Sequence, residues 1–291
     1  MFEGILTALV TPFRGGEVDE AALRRLIERQ IAAGVAGVVP CGSTGESATL
    51  SHGEHRRVVE IVVEAVAGRA AVVAGTGSNS TREAIELTAH ARDAGADGAL
   101  LLSPYYNKPT QEGIYRHYAE VARATRFPLL VYNIPGRTAS NIAPETLARL
   151  AKLEHVVGVK ESCGNLDQIA HVVALCPSDF SVLSGDDALT LPLLAIGGRG
   201  CISTTANVAP AEMVALFSAW QHGDAARARE IHYQLLSLFD LLFCETNPIP
   251  VKAALELLGL IDGEIRLPLT PLTEPNRERL RVGLKDLGKL S

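Results

Sequence analysis

One lysine in this 291-residue sequence stands where its amine could react with a carbonyl group. Lys160 closes the apolar run Val156–Val159, which predicts a buried strand, and the chain contains only six lysines. Burial disfavours the charged form of an unpaired amine, and a neutral amine can attack a carbonyl carbon to form an imine. The position therefore predicts an imine-forming lysine. The alternative is a structural lysine held in an ion pair, for instance with Glu161.

Three hydroxyl side chains are placed to move the protons that imine chemistry requires. Tyr132 ends the apolar run before that of Lys160, and Tyr106 and Ser43 follow two earlier runs. Forming and using an imine needs a general acid and a general base. A single tyrosine at a strand end is more often a core residue, but three hydroxyl groups at strand ends predict a proton relay.

Two features suit a substrate that carries carboxylate groups. The turn Ser43–Gly45 offers successive backbone N–H groups, an arrangement that binds small anions. The guanidinium of Arg137 can hold a carboxylate through two parallel hydrogen bonds. The sequence therefore predicts an acidic substrate near the amine.

Other motifs predict less. Gly75–Ser80 resembles a dinucleotide-binding loop but lacks its third glycine, which argues against a nicotinamide cofactor. His52 and His55 have a spacing that could ligate a metal, but no clear third ligand accompanies them. Asp186 and Asp187 could hold a divalent ion, although capping the following helix is the simpler interpretation. We expect neither a metal nor an organic cofactor.

Eight short apolar runs predict the strands that position these residues. They are Ile5–Val10, Val35–Pro40, Ala71–Gly75, Gly98–Leu102, Pro128–Tyr132, Val156–Lys160, Ser181–Ser184 and Gly200–Ile202. Strands that are apolar on both faces are typical of a buried parallel sheet. Amphipathic stretches between them predict helices over Glu20–Ala33, His52–Ala67, Thr81–Ala94, Gln111–Ala124, Pro144–Leu153 and Asn165–Leu175. Ser51 and Glu54 have the spacing of a capping box.

Eight strands alternating with helices predict an α/β fold, a (β/α)8 TIM barrel. A doubly wound sheet is the alternative, but it usually has fewer strands and a glycine loop for phosphate. In a barrel the carboxyl ends of all strands meet at one mouth, where Lys160, Tyr132 and Ser43 would gather. Lys252 also follows an apolar stretch, but it lies on a predicted helix outside the barrel, which favours a structural role.

The C-terminal part has a purely helical pattern. From Asp224 onward the predicted helices are Ala225–Phe243, Pro250–Leu258 and Pro275–Leu287. We therefore expect a catalytic barrel over residues 1–223 and a small C-terminal helical domain over residues 224–291.

Composition excludes several classes of protein. The net charge is −6, and the absence of a basic stripe argues against nucleic-acid binding. No apolar run approaches the ~18 residues that span a membrane, and the start Met1–Gly4 has no signal-peptide pattern. Five scattered cysteines without a Cys-x-x-Cys pair are typical of reduced thiols. Together these features predict a cytoplasmic protein.

Four segments resemble the signatures of the pyruvate-dependent class I aldolases, the N-acetylneuraminate lyase family. They are Gly42–Ser47, Pro104–Asn107, Tyr132–Thr138 and Val159–Glu161. The likeness covers nearly the whole chain and includes the segment Asn247–Lys252. It implies the (β/α)8 fold and a reaction that needs no metal or organic cofactor.

The resemblance implies a catalytic role for four residues. Lys160 matches the lysine that forms a Schiff base with pyruvate, and Tyr132 matches the proton donor and acceptor. Ser43 and Tyr106 match the two relay residues, and Tyr106 would reach across a tight dimer into the neighbouring site. The family often has threonine where this chain has Ser43, so the hydroxyl is kept while its rotamer is less fixed.

The implied reaction condenses pyruvate with L-aspartate 4-semialdehyde to give 4-hydroxy-tetrahydrodipicolinate, at the branch that leads to diaminopimelate and lysine. Arg137 matches the arginine that holds the carboxylate of the semialdehyde. The other substrate-binding positions with a match are Thr44, Gly185 and Ile202.

The resemblance also implies regulation and assembly. Lysine-sensitive members of the family bind L-lysine at the tight dimer interface, and their pattern is matched by Ala48, Leu50, His52, His55, Asn79, Glu83 and Tyr105. The His pair is then better interpreted as part of an allosteric pocket than as metal ligands. The implied assembly is a homotetramer built as a dimer of dimers.

Two other functions stay open at this point. A sibling aldolase, acting on N-acetylneuraminate or a 2-keto-3-deoxy sugar acid, would share the lysine, the tyrosine and the turn Ser43–Gly45 that binds a carboxylate. Arg137 favours an anionic second substrate over a neutral sugar tail. A catalytically idle barrel that only binds a keto acid would not need the lysine and the three hydroxyl groups together.

Overall fold

Strands and helices alternate over most of residues 2–290, the part of the chain that the computed structural model describes. Met1 and Ser291, the outer ends of the two predicted domains, lie outside the described residues. The strands are β1 (Gly4–Ala8), β2 (Phe13–Arg14), β3 (Glu17–Val18), β4 (Gly37–Val39), β5 (Ala71–Gly75), β6 (Gly98–Leu102), β7 (Leu129–Asn133), β8 (Val156–Glu161), β9 (Ser181–Ser184) and β10 (Gly200–Ser203). The helices are α1 (Glu20–Ala32), α2 (His52–Val66), α3 (Thr81–Asp93), α4 (Gln111–Thr125), α5 (Pro135–Thr138), α6 (Pro144–Leu150), α7 (Leu166–Leu175), α8 (Thr190–Ala195), α9 (Pro210–Gln221), α10 (Ala225–Leu241), α11 (Ile249–Leu257) and α12 (Glu274–Asp286).

The eight predicted strands form one closed parallel barrel. Their order is β1-β10-β9-β8-β7-β6-β5-β4, and β4 pairs with β1 to close the ring. The (β/α)8 prediction is therefore confirmed, and the doubly wound alternative is wrong. The predicted capping box is present as well, because the Ser51 hydroxyl accepts from the Glu54 N–H while the Glu54 carboxylate accepts from the Ser51 N–H.

Burial on both faces explains why the strands read as continuous apolar runs. One cluster fills the barrel interior and consists of Leu6, Ala8, Val39, Val73, Leu100, Leu130, Tyr132, Leu183 and Ile202. Residues on the outer faces, such as Val72, Val131 and Val159, pack in a second cluster with the surrounding helices. Within the described residues, the eight barrel strands therefore have no solvent-exposed face, and their sequences lack the alternating polar residues of a half-exposed strand.

Five elements were not predicted: the two strands of a hairpin and three helices. The hairpin β2–β3 turns at Gly15 and Gly16, whose φ angles of 61° and 86° suit glycine. Helix α5 is a single turn, and α8 is a short apolar segment that periodicity does not distinguish from a strand. Helix α9 begins with Pro210 at its first turn and lies between the barrel and α10, so apolar residues occupy more than one of its faces.

The three C-terminal helices pack as a group beside the barrel. Helix α10 contacts α9, and α12 contacts α10 and α11. Leu216 of α9 belongs to the same buried cluster as Leu235 of α10 and Leu284 of α12. The division at residue 224 stays a prediction. Within residues 2–290, no helix has both the length and the hydrophobicity needed to cross a bilayer.

Candidate active site

The register of two adjacent strands places the candidate nucleophile beside a tyrosine. Tyr132 of β7 pairs with Lys160 of β8, and both side chains are buried. The amine nitrogen lies 4.3 Å from the centre of the tyrosine ring. The pairing of the two predicted catalytic residues follows from a shift in register, because Leu129 pairs with Val156 and Leu130 pairs with Gly158. One residue, Val157, is thus bulged out of the ladder.

Within residues 2–290, no carboxylate neutralises the Lys160 amine. Its side chain is 6% exposed, and no carboxylate oxygen of the described residues lies within 4.0 Å of its nitrogen. Glu161 follows it in β8, so its side chain points to the opposite face of the strand. There the carboxylate accepts hydrogen bonds from the Asn133 amide at 2.9 Å and from the Cys163 N–H at 3.0 Å. The alternative in which Lys160 pairs with Glu161 is therefore wrong.

Glu161 is itself a perturbed acid. Burial raises the pKa of its carboxyl to about 7, and the hydrogen bonds from Cys163 and Asn133 oppose that rise without cancelling it. No cationic side chain of the described residues lies within ion-pair distance of it. Strand β8 therefore buries an amine on one face and a carboxyl on the other, each without a counter-charge.

The backbone at Gly185 makes room for the lysine side chain. A Cβ atom at this position would lie 2.6 Å from Cε of Lys160 and would also overlap the Ser162 hydroxyl. That hydroxyl oxygen is buried and has no hydrogen-bond partner among residues 2–290. The sequence analysis missed Ser162, although strand alternation from Lys160 puts it on the same side. Ile202 lines the barrel interior and is fully buried, and its predicted role in binding substrate stays a prediction.

The turn after β4 offers fewer free N–H groups than predicted. The N–H of Gly45 donates to the Gly42 carbonyl at 3.0 Å, and that of Glu46 donates to the Ser43 carbonyl at 3.2 Å. The N–H groups of Ser43 and Thr44 have no acceptor within the described chain. An anion at this turn would therefore be held by these two N–H groups and not by the whole Ser43–Gly45 segment.

Asn247, which the sequence analysis did not assign a role, joins the predicted binding residues. Its amide nitrogen donates to the Thr44 hydroxyl at 3.0 Å, and its backbone carbonyl accepts from the Arg137 guanidinium at 2.8 Å. Thr44 also lies 3.4 Å from the Thr204 hydroxyl. The amide oxygen of Asn247 is buried without a partner in the described part of the chain. Only the likeness of the Asn247–Lys252 segment to the aldolases marked this residue.

The two aspartates after β9 have structural partners. Asp186 accepts from the Ala188 N–H at 3.2 Å, which confirms the helix-capping interpretation for this residue. Asp187 instead accepts from the N–H groups of Thr204 at 3.1 Å and Thr205 at 2.9 Å. It thereby fixes the loop after β10 and places Thr204 near the mouth.

Tyr106 is not brought to the other hydroxyl groups within one chain. Its side chain is 87% exposed in the loop after β6, whereas Lys160 and Tyr132 are buried. The predicted relay through Tyr106 therefore remains a prediction about an assembly of chains.

A cavity of about 440 Å³ opens beside the Ser43 turn. Ser43, Arg137 and Asn247 line it, together with six of the seven predicted L-lysine positions: Ala48, Leu50, His52, His55, Glu83 and Tyr105. The seventh, Asn79, is not among the lining residues, and its carbonyl accepts from the Asn107 amide at 3.0 Å. The predicted allosteric set therefore borders the predicted substrate-binding residues.

The two histidines of this cavity have separate partners. His52 lies 2.8 Å from the Glu83 carboxylate, and His55 lies 2.8 Å from the Gly75 carbonyl. Burial lowers the pKa of His55. Hydrogen bonding to the Ser78 hydroxyl lowers the pKa of Glu83, and contact with His52 adds to that effect. The cavity therefore presents an anionic carboxylate beside imidazoles, a setting suited to an ammonium group.

The barrel mouth of this chain holds a buried amine beside a phenol, which suits the chemistry of the aldolase-type lyases, enzymes that form imines with carbonyl substrates. Comparison with known families defines the class further. Residues 1–287 match the model of the Dihydrodipicolinate synthetase family, and the chain belongs to that family.

Individual relatives support the same conclusion. A 4-hydroxy-tetrahydrodipicolinate synthase of Syntrophus aciditrophicus is 56% identical over 288 residues, which is 99% of either chain. The crystal structure of dihydrodipicolinate synthase from Aquifex aeolicus superimposes with a TM-score of 0.97 at 50% identity, covering 99% of this chain and 98% of that one. A structure of DHDPS from Cyanidioschyzon merolae with lysine bound gives a TM-score of 0.97 at 43% identity over 99% of both chains. The family that the sequence resembles is thus confirmed.

Proposed function

We propose that this chain condenses pyruvate with L-aspartate 4-semialdehyde to give 4-hydroxy-tetrahydrodipicolinate, on the route to diaminopimelate and lysine. Membership in the Dihydrodipicolinate synthetase family supports the substrate pair. The observation that carries the chemistry is the buried Lys160 amine without a counter-ion, 4.3 Å from the centre of the Tyr132 ring.

The reaction starts at the lysine nitrogen. Nζ of Lys160 attacks the C2 carbonyl of pyruvate, and loss of water gives the imine. Loss of a proton from C3 gives the enamine, whose C3 attacks the aldehyde carbon of the second substrate. The amino group of that substrate then attacks C2, the ring closes and Lys160 is released. Tyr132, which pairs with Lys160 across the two adjacent strands, is suited to carry the protons of these steps.

Two binding positions are assigned to carboxylates. The free N–H groups of Ser43 and Thr44 suit the pyruvate carboxylate. The Arg137 guanidinium makes one hydrogen bond, to the Asn247 carbonyl, and keeps other donors for the carboxylate of the semialdehyde. Arg137 lines the cavity with Ser43, which supports a route for the second substrate past this turn. Gly185 and Ile202 complete the pocket around Lys160.

The proton relay is assigned to Ser43 and to Tyr106 of a second chain. The exposure of Tyr106 supports this assignment, because a tyrosine ring that is 87% exposed in one chain is available to another. The proposed assembly is a homotetramer of two tight dimers. Light scattering combined with activity tests it, since a fully active monomer contradicts a relay that needs two chains.

L-Lysine is proposed as a feedback inhibitor bound in the cavity beside the Ser43 turn. The Glu83 carboxylate would meet an ammonium group of the ligand, and the related DHDPS from Cyanidioschyzon merolae has a structure with lysine bound. Calorimetry with L-lysine tests this assignment. Binding that Glu83→Gln weakens is expected, and an unchanged rate with no heat of binding at millimolar lysine rejects it.

We also place the enzyme in the cytoplasm. The five cysteines are free thiols in the structure, and burial raises the pKa of Cys176 to about 11, which keeps that thiol protonated and unreactive. Reduced cysteines are typical of that compartment.

The test of the proposed function is a coupled assay. Pyruvate and L-aspartate 4-semialdehyde are supplied with the next reductase, and NADPH loss is followed for the wild type and for Lys160→Ala. Turnover by the wild type alone is the expected result. If neither protein turns over, borohydride trapping with pyruvate separates two outcomes: an adduct on Lys160 indicates a sibling aldolase with another aldehyde, and no adduct rejects the imine mechanism.

A further inference from the structure

Lys252 on α11 is the second buried lysine of the described residues, and unlike Lys160 it has a carboxylate partner. Its amine donates to the Glu46 carboxylate at 2.5 Å and to the Thr11 carbonyl at 3.1 Å. It also lies 4.3 Å from the centre of the Phe13 ring. Both side chains of the ion pair are 1% exposed. The pair therefore joins the C-terminal helices to the loops that follow β1 and β4.

Glu46 ends the turn that carries the proposed anion-binding groups. Its φ of 53° lies in the left-handed region, which costs a non-glycine residue about 1 kcal/mol or more. The second oxygen of its carboxylate accepts from the Arg266 N–H at 3.2 Å. Contacts to Lys252 and to Arg266 thus hold the residue in a conformation that it would not adopt alone.

The same contacts reach the rest of the turn. The Thr11 hydroxyl donates to the Gly45 carbonyl at 2.7 Å, while the Thr11 carbonyl accepts from Lys252. Gly45 and Glu46 directly follow the two residues whose N–H groups are free, Ser43 and Thr44. Any movement of Glu46 would therefore change the directions of these N–H groups.

We propose that Lys252 is a positioning residue for the pyruvate carboxylate, acting through Glu46 and the turn that it closes. This inference rests on the proposed function, because it assigns the turn to pyruvate. A buried ion pair is not required for stability, since an apolar or neutral replacement of both partners is often tolerated. The position of the Lys252–Glu46 pair next to the turn suits it instead to hold the backbone N–H groups of Ser43 and Thr44 in place.

The test is the double variant Lys252→Met with Glu46→Gln. It leaves no uncompensated charge and keeps a carbonyl oxygen for the Arg266 N–H. Its readout is the pyruvate concentration that gives half-maximal borohydride trapping on Lys160, which reports binding without turnover. We expect that concentration and KM for pyruvate to rise by about tenfold, with kcat at saturating pyruvate within about threefold of the wild type.

A matched control uses another ion pair of α11. Glu256 pairs with Arg277 of α12 at 2.7 Å, and within residues 2–290 neither side chain hydrogen-bonds to the turn that Glu46 ends. The variant Arg277→Met with Glu256→Gln is expected to keep the wild-type trapping curve. An unchanged trapping curve in the Lys252 double variant overturns the proposal. So does an equal change in both double variants, because that indicates general loosening of α11.

Two further outcomes are separated by design. If the double variant does not fold, Glu46→Asp keeps both charges and shortens the carboxylate arm by one methylene group. The same rise in the half-maximal pyruvate concentration is then expected, and a wild-type value overturns the proposal.

If the wild type itself is not trapped by pyruvate, the proposed function fails. If the wild type is trapped and the variants match it, only the role of Lys252 fails.

Discussion

Two buried lysine–glutamate neighbourhoods in this molecule have opposite designs. Lys160 and Glu161 are adjacent in sequence but point to opposite faces of β8, and neither has a counter-charge. Lys252 and Glu46 are 206 residues apart in sequence, yet their charged atoms lie 2.5 Å apart. Burial is common to both lysines, and what distinguishes the proposed nucleophile Lys160 is that no carboxylate of the described residues lies within ion-pair distance.

The partners of Lys252 compensate its burial. Burial lowers its pKa, and the attraction of the Glu46 carboxylate acts in the opposite direction. This amine donates to two acceptors, so it has little reason to react. The space around Lys160 is instead bounded by the Tyr132 ring and the bare backbone of Gly185. This contrast supports Lys160, and not Lys252, as the proposed nucleophile.

The largest effect is expected from Lys160→Met. We expect turnover to fall by about 10⁴-fold or more because the nucleophile is lost. The free energy of unfolding should stay within about 1 kcal/mol of the wild type or increase, since no buried carboxylate is left unpaired. Coupled NADPH assays and urea unfolding measure the two quantities. A large loss of stability would contradict the unpaired state of Lys160.

The next effect is that of Lys252→Met alone. Removing one partner leaves the Glu46 carboxylate buried without its cation, which should lower the free energy of unfolding by about 3–5 kcal/mol. Adding Glu46→Gln should restore more than half of that loss, because the uncompensated charge is gone. Urea unfolding of both single variants and the double variant gives the coupling energy. Additive losses would show that the pair does not act as a unit.

A smaller effect concerns the pH dependence of stability at Glu161. Its pKa is about 7 in the folded chain and near the ordinary value of 4.5 in the unfolded chain, so the folded chain binds the extra proton. The contribution of this group is fully present below pH 4.5 and is lost as the pH rises to about 7.

The variant Glu161→Gln isolates that contribution. Between those two pH values the free energy of unfolding of the wild type should fall as the pH rises. In Glu161→Gln this fall should be smaller by about 1–3 kcal/mol. The difference between the two proteins removes the contribution of other titrating groups, such as His117, whose pKa burial lowers to about 4. Parallel curves for both proteins would mean that Glu161 is ionised throughout.

The smallest effect is expected from Ser162→Ala. The Ser162 hydroxyl is buried beside Lys160 without a partner, so its removal should change the free energy of unfolding by less than about 1 kcal/mol. Thr205→Ala is a suitable control, because the Thr205 hydroxyl donates to Asp187 at 2.9 Å and its loss should cost about 1–2 kcal/mol. Thermal unfolding of both variants measures the contrast. Equal losses would indicate that Ser162 has a partner in solution.

The strand pattern of the sequence predicted the neighbours of Lys160 but could not predict those of Lys252. Lys160 and Tyr132 follow local apolar runs, and parallel strands bring their ends together, so their proximity was predictable. The Lys252–Glu46 pair and the Asn247–Thr44 hydrogen bond join positions 206 and 203 residues apart. No local period encodes such contacts. The structural role expected for Lys252 is consistent with its ion pair, but its partner was not identified.

The sequence also could not show which backbone N–H groups of the turn after β4 are free. The composition of the Ser43–Gly45 segment predicted an anion-binding turn, but which groups are free depends on the hydrogen bonds that close it. The role of Tyr106 depends on a second chain, which the pattern of one chain does not position. The alternation of β8 would have predicted opposite faces for Lys160 and Glu161 once the strand was accepted.

The bulged residue in β8 has a consequence for how this site can change. If Val157 paired within the ladder instead of bulging out, Tyr132 would pair with Val159. The side chains of β8 beyond that point would then exchange faces. The amine would then point into the helical layer and the carboxyl of Glu161 into the mouth. Point substitutions can therefore alter this site gradually, whereas a shift that brings Val157 into the ladder would exchange a base for an acid in one step.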